Sequence, residues 1–233
     1  MKGIIKYSYK QSGKAIYDYS MLADKDRILV GFSGGKDSVA LLKLLLMRRQ
    51  RVPIDFKIIV CLVNIDFLGI DCDRVISHCA DLDLPCVVKD LKLNDDNNTG
   101  CFWCSWNRRK ILFETARDYN CNKIALGHNR DDIIETTLMN IFFAGQISTM
   151  RPKVSLFDGE LKIIRPLSYL ENVMLKEFVD VSGESVFGQE CPRENDSKRA
   201  KIQGLIKDMQ QHCPQVKLNI FNSLKKIRKD YLL

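Results

Sequence analysis

No stretch of this chain approaches the length of a membrane span, and its N-terminus lacks the continuous apolar run of a signal peptide. Both absences lead us to expect a cytoplasmic protein with no membrane contact. There is no internal repeat, no low-complexity segment and no Gly/Ser linker, which leaves one continuous domain with helical ends as the expected organisation. A Walker A loop is missing as well, because no glycine here is followed by four residues and then Gly-Lys. Cys-x-x-Cys occurs once, so the two close cysteine pairs of a usual structural zinc site are not spelled out either.

The 233 residues, 45% of them apolar, suffice for a full hydrophobic core. In a reducing compartment the nine cysteines are expected to be buried thiols, metal or cluster ligands, or catalytic groups rather than a disulfide framework. A formal net charge of +7 modestly favours a polyanionic partner.

Hydrophobic periodicity predicts a lead-in helix over 4–23, a strand over 27–32 and a helix over 37–49. The unbroken apolar run 56–63 suits a strand in a sheet covered on both faces. There follow a helix over 72–82, a short strand over 86–89, a polar loop over 94–100, a helix over 104–119, a strand over 123–127 and a helix over 131–143. Further on, 153–157 and 161–165 read as a hairpin across Asp158-Gly159, and helices are expected over 170–181, 195–211 and 215–229. Strands alternating with helices imply an α/β fold with a parallel sheet and right-handed crossovers. The expected layout is a helical lead-in over 1–26, the α/β domain over 27–185 and a C-terminal helical segment over 186–233. Ligands on such sheets sit at the carboxyl ends of the strands, where Ser33, Asp66 and His128 fall.

The run Ser33-Gly34-Gly35-Lys36-Asp37-Ser38 joins an apolar strand to an apolar helix. Gly34 and Gly35 permit a tight turn and close approach to a ligand, and the N–H groups that open the helix point into that turn, which suits an anion. Ser33 and Ser38 add hydroxyls, Lys36 a compact positive charge, and Asp37 a helix cap or a metal-holding carboxylate. This hexapeptide resembles the signature of the PP-loop ATP pyrophosphatases, an adenine nucleotide alpha hydrolase-like, Rossmann-like fold. That resemblance implies cleavage of ATP to AMP and pyrophosphate.

Cys101-Phe102-Trp103-Cys104 opens the helix that carries Arg108 and Arg109, and Cys191-Pro192 lies far along the chain. The spacing alone leaves several uses open: structural zinc with Cys213 as a fourth ligand, plain thiols, a redox pair, or an iron-sulfur cluster held by three cysteines with one iron left free. Cys61, Cys86 and Cys121 fall in or beside predicted strands and read as core thiols. Along the chain come the Cys-x-x-Cys, Arg108-Arg109, the run Gly127-His128-Asn129-Arg130-Asp131-Asp132, then Met150-Arg151-Pro152-Lys153, Ile164-Arg165-Pro166-Leu167, and Cys191 with Arg199 eight residues later. Their order resembles the tRNA 2-thiocytidine synthetase (TtcA-type) branch of the PP-loop sulfurtransferases, from about Lys14 through Arg199.

The resemblance implies an AMP-forming tRNA sulfurtransferase. ATP adenylates the C2 oxygen of a cytidine and sulfur replaces it. Cys101, Cys104 and Cys191 match the family's three ligands to a 4Fe-4S cluster. On the same reading the loop Ser33 to Ser38 holds pyrophosphate, Lys36 offsets charge building on it, and Asp37 with Asp131 or Asp132 carries Mg²⁺. Asp66 meets the nucleotide, His128 assists proton transfer, and Arg108 lies near the cluster or a phosphate. Arg130, Arg151, Lys153 and Arg165 extend a cationic surface. Tail cations from Lys198 to Lys229 are candidates for RNA contact, and Trp103 and Trp106 for stacking a flipped base, with core burial the competing use of one of them. Partners implied are tRNA, a sulfur donor (a cysteine desulfurase or free sulfide) and a second copy in a homodimer. Rival functions are thiolation of another base such as uridine, a cluster-free ligase of the lysidine-synthetase kind, and an ATP-binding redox sensor.

Overall fold

A computed structural model describes residues 3–65, 68–92, 101–188, 197–228 and 230, with the backbone alone for Cys101. The strands are β1 (Asp26–Phe32), β2 (Phe56–Ile65), β3 (Cys86–Leu91), β4 (Lys123–Ala125), β5 (Lys153–Leu156) and β6 (Leu161–Ile164). The helices are α1 (Gly3–Asp18), α2 (Lys36–Arg49), α3 (Cys72–Asp81), α4 (Cys101–Asp118), α5 (Arg130–Ala144), α6 (Asn172–Ser182), α7 (Lys198–His212) and α8 (Val216–Ser223). Together the strands form one sheet in the order β3-β2-β1-β4-β6-β5, parallel except for β5, which pairs antiparallel with β6.

Apolar continuity decides which strands are central. Ile28, Leu29 and Val30 in β1, and Ile58 through Val63 in β2, are buried on both faces, as a parallel sheet covered by helices requires. The edges differ: β3 exposes Lys89 and Asp90, and β5 has only four residues, which limits edge-to-edge pairing.

Strand order reverses between β1 and β4, so the crevice where a ligand is expected opens at the carboxyl ends of those two strands. At their amino ends a buried ion pair joins them: Lys123 Nζ bonds the carboxylate of Asp26, and both side chains are almost fully enclosed. Asp26 also accepts from the Ala23 N–H at 2.6 Å and from Asn122 Nδ2 at 2.9 Å.

Several boundaries differ from the sequence expectation. α1 stops at Asp18 rather than at 23, because Ser20 turns left-handed (φ 47°) and the Met21 N–H bonds the Ile16 carbonyl, which buries Met21. α4 begins at Cys101 instead of 104, so the Cys-x-x-Cys forms the first turn of the helix rather than a lead into it. β4 is three residues long, and α8 ends at Ser223, ahead of the Lys225-Lys226 pair.

By its contacts the chain divides into two compact units. The first spans Met1–Asn129 and Pro152–Cys191 and includes the whole sheet. The second spans Arg130–Arg151 and Pro192–Leu233 and is built on α5, α7 and α8. No described helix is long and apolar enough to cross a membrane.

Candidate active site

In the first unit, β1 ends at Phe32 and the chain turns through Ser33-Gly34-Gly35 into α2. Gly34 has φ 73°, a conformation that favours glycine. A side chain there would also press to 3.1 Å from the Gly188 nitrogen and 3.3 Å from the Phe187 carbonyl carbon. Phe187 N–H donates to the Gly34 carbonyl at 2.8 Å, so the 187–188 segment lies directly on the loop. Gly35 is the N-cap of α2 and brings no capping side chain, which leaves the helix entry open to an external anion.

Hydroxyls line the turn. Ser38 Oγ donates to the Gly35 carbonyl at 2.8 Å, and Ser33 Oγ lies 3.3 Å from Ser38 Oγ. Lys36 Nζ sits 3.5 Å from Asp37 Oδ2, and both side chains remain about one-third exposed at the mouth of the crevice. From the other side of the switch point comes the turn after β4. Gly127 approaches so closely that a methyl group on it would lie 3.1 Å from the Asp37 carbonyl and 3.2 Å from the Ser38 nitrogen. Buried Asn129 reaches Asp37 Oδ2 with its Nδ2 at 3.5 Å. Arg165, itself buried, donates its Nε–H to His128 Nδ1 at 3.2 Å. That bond assigns the ring proton of neutral His128 to Nε2.

Ser33 through Ser38 are therefore gathered in one turn, with Gly127, Asn129 and the 187–188 segment closing it. Sequence reasoning gave Asn129 no role of its own and did not name Phe187-Gly188. A glycine four residues before Pro192 was the available signal for the latter, and it carries meaning only once Gly34 is seen beneath it. Asp66 lies outside the described residues, one position beyond the end of β2.

α4 follows β3, so its N-terminus lies on the carboxyl rim of the same parallel sheet, as the phosphate loop does. Cys101 and Cys104 are three residues apart in its first turn and share a face; Arg108, one turn beyond Cys104, continues that face. Cys104 and Trp103 are half-buried and pack against the core. The first two cysteines thus have a spacing that fits two ligands to one metal group, while Cys191 lies outside the described residues. Among the other cysteines, Cys61, Cys79 and Cys121 are buried and Cys86 is half-buried. Burial pushes the Cys61 thiol up to about 11, so it stays protonated at neutral pH. Half-buried Cys213 accepts from Asn219 Nδ2 at 3.6 Å in the second unit.

Asp131 and Asp132 open α5 in the second unit, and each has a cation beside it. Lys217 of α8 lies 2.7 Å from Asp131, and Arg199 of α7 bonds Asp132 at 2.9 Å. Arg199 also reaches Glu135 at 3.5 Å, where Gln203 Nε2 donates at 3.0 Å. Burial raises the Glu135 carboxyl to about 7, against the lowering effect of Gln203 and Arg199.

Because Glu135 takes up its proton near 7 when folded and near 4.5 when unfolded, the folded state binds more protons between those values. Its contribution is complete below about 4.5 and is lost as pH rises through 7, a change of about 3 kcal/mol. Glu135→Gln should melt with wild type at pH 5 and above it at pH 8; equal melting points at both values would refute the shift.

A family profile described as PP-loop domain matches residues 5–208. The tRNA-cytidine(32) 2-sulfurtransferase of Paraburkholderia xenovorans is 33% identical over 240 residues, covering 99% of this chain and 71% of that protein. The protein of the same name from Pelobacter propionicus is 34% identical, covering 95% of this chain and 86% of that one. In fold, the chain is similar to the U34-tRNA thiolase NcsA from Methanococcus maripaludis with its [4Fe-4S] cluster, at a TM-score of 0.79 and 21% identity over 96% of this chain and 78% of the other. The similarity to solved and curated proteins runs through both the phosphate loop and the helix that begins with the Cys-x-x-Cys, and the chain belongs to the PP-loop family, among the relatives of the tRNA-cytidine(32) 2-sulfurtransferases.

Proposed function

We propose that the protein is an ATP-dependent tRNA sulfurtransferase that converts a cytidine to 2-thiocytidine. The observation that carries this reading is the common rim: an uncapped phosphate-loop helix and a helix opening with two cysteines, both at the carboxyl ends of one parallel sheet. The curated relatives support cytidine as the base.

The C2 oxygen of cytidine is a poor leaving group and must be activated. That oxygen attacks the α-phosphorus of ATP, the bond to the β-phosphate breaks, and pyrophosphate departs. Sulfur then bonds to C2, the C2–O bond breaks, and AMP leaves with the oxygen. In the first step the N–H groups entering α2, with Ser33 and Ser38, hold the departing pyrophosphate, and Lys36 offsets its growing charge. Asp37, the carboxylate within the loop, would hold Mg²⁺, whose preference is for carboxylate and phosphate oxygens. His128, its Nδ1 engaged by Arg165, presents Nε2 for proton transfer. Cys101, Cys104 and Cys191 would bind a 4Fe-4S cluster, which when bound supplies a fourth iron able to carry the sulfide. Arg108, on the face of Cys101 and Cys104, offsets the negative charge there. We place the reaction in the cytoplasm, with a cysteine desulfurase or free sulfide as donor and a homodimer as the working form.

Digests of bulk tRNA from a host lacking this protein and from the complemented host test the reading. Restored 2-thiocytidine supports it, whereas a different thionucleoside would change the base and no difference would remove the reaction. In parallel, Cys191→Ala should lose the cluster's visible absorption in anaerobic preparations yet bind ATP with wild-type affinity. An intact spectrum would move the third ligand to another cysteine, Cys213 first.

A further inference from the structure

Phe102 and Trp106 stand one turn apart on α4 and face away from the core, 83% and 52% exposed. Their neighbours Trp103 and Cys104 take the inward side of the same helix, so the helix spends one tryptophan on packing and holds another in solvent. Counting on from Phe102, positions 106, 109 and 110 continue one stripe at helical spacing, and Arg109 and Lys110 are both exposed, Lys110 with the exposed Glu114 carboxylate 3.9 Å from its Nζ. Two flat apolar rings followed by two cations is a surface of mixed character: the rings have π faces to offer and the cations attract phosphate. A protein partner's apolar groove would use the rings alone, and a duplex backbone the cations alone. Unpaired nucleotides use both, since splayed bases stack on aromatic faces while their phosphates pair with Arg and Lys.

We propose that Phe102 and Trp106 form a stacking platform for unpaired bases of the substrate RNA, with Arg109 and Lys110 holding the phosphates that follow. The proposal rests on the tRNA reading above and deepens it by assigning the RNA loop to the outer face of the helix whose first turn contains the two cysteines. It differs from the use of Trp103 and Trp106 together, because Trp103 is taken by the core. Phe102 replaces it as the partner ring.

The test uses the full chain and a synthetic unmodified RNA hairpin with an unpaired loop, beside a fully paired duplex of equal length. The hairpin should quench tryptophan fluorescence and the duplex should not, and the quench should be much reduced in Trp106→Phe. Phe102→Ala and Trp106→Ala should each weaken hairpin binding about tenfold, and Trp106→Phe, which keeps a ring, should stay within about twofold of wild type. Both positions are exposed, so circular dichroism and ATP affinity should match wild type. Equal affinity for hairpin and duplex, or alanine variants that bind the hairpin like wild type, would overturn the platform. So would variants that keep RNA affinity but change the sedimentation of the protein, which would make the rings a contact between copies. Because the hairpin is read by binding and not by thiolation, loop-selective quenching in a protein that restores no thionucleoside would sink the sulfurtransferase reading and leave the platform. Thiolation without quenching would do the reverse.

Discussion

Asp37→Ala should lower tRNA-dependent AMP release by about a thousandfold or more while leaving the cluster's absorption intact. Asp37 is the second residue of α2, between Lys36 Nζ and Asn129 Nδ2, each 3.5 Å from its Oδ2, and its backbone lies under Gly127. Two uses of such a carboxylate are separable by magnitude. As a negative charge at a helix start, it is worth roughly 0.3–1 kcal/mol of stability and nothing in the rate. As a holder of the cation that accompanies the phosphates, it acts only when ATP is bound, and a thousandfold loss corresponds to about 4 kcal/mol of barrier. Asp37→Asn discriminates further, since it keeps the size and the hydrogen bonding but removes the charge. Release of AMP from labelled ATP, followed as magnesium is titrated, should show both variants with the same deep loss. An asparagine variant that works like wild type would reduce Asp37 to a cap.

Most of this architecture was legible because the strands are written as continuous apolar runs. Ile28 to Val30 and Ile58 to Val63 suit a doubly covered sheet, and the hydrophobic pattern placed most elements to within a few residues, overshooting the ends of α1 and α8 by five and six. The phosphate loop was legible for a different reason: its glycines, hydroxyls and lysine are contiguous in sequence, so local chemistry is the whole signal. What stayed hidden depends on distant pairing. Nothing about Asp131, Asp132 and Glu135 announces that Lys217, Arg199 and Gln203 lie beside them, from 67 to 86 residues away. Phe187 and Gly188 are likewise silent until the Gly34 carbonyl is seen to accept from Phe187. Of the two tryptophans, the pattern predicted that one would be buried but could not say which, since a helix start exposes different faces according to where it begins. Starting α4 at Cys101 turns Trp103 inward and Phe102 and Trp106 outward.

Lys123→Met should cost about 3–5 kcal/mol of folding stability, the largest effect expected from any single change far from the chemistry. Lys123 and Asp26 are 4% and 3% exposed, and burial pulls the Lys123 pKa below the usual lysine value while Asp26 opposes that shift. Methionine preserves the packing volume but leaves the Asp26 carboxylate enclosed with only the Ala23 N–H and Asn122 Nδ2 to satisfy it. A domain of this size has roughly 5–15 kcal/mol in total, so urea midpoints should fall steeply. Adding Asp26→Asn removes the stranded charge, keeps an acceptor for Ala23, and should recover part of the loss; no recovery would mean that the lysine acts by packing alone. The pair sits at the amino ends of β1 and β4, and the phosphate loop lies past the carboxyl end of β1, seven residues and about 20 Å away. ATP affinity of the folded Lys123→Met protein should therefore equal that of wild type. If affinity falls with stability, the two ends of the sheet are coupled, and the crevice between β1 and β4 owes its shape to the ion pair beneath it as well as to Gly34 and Gly127.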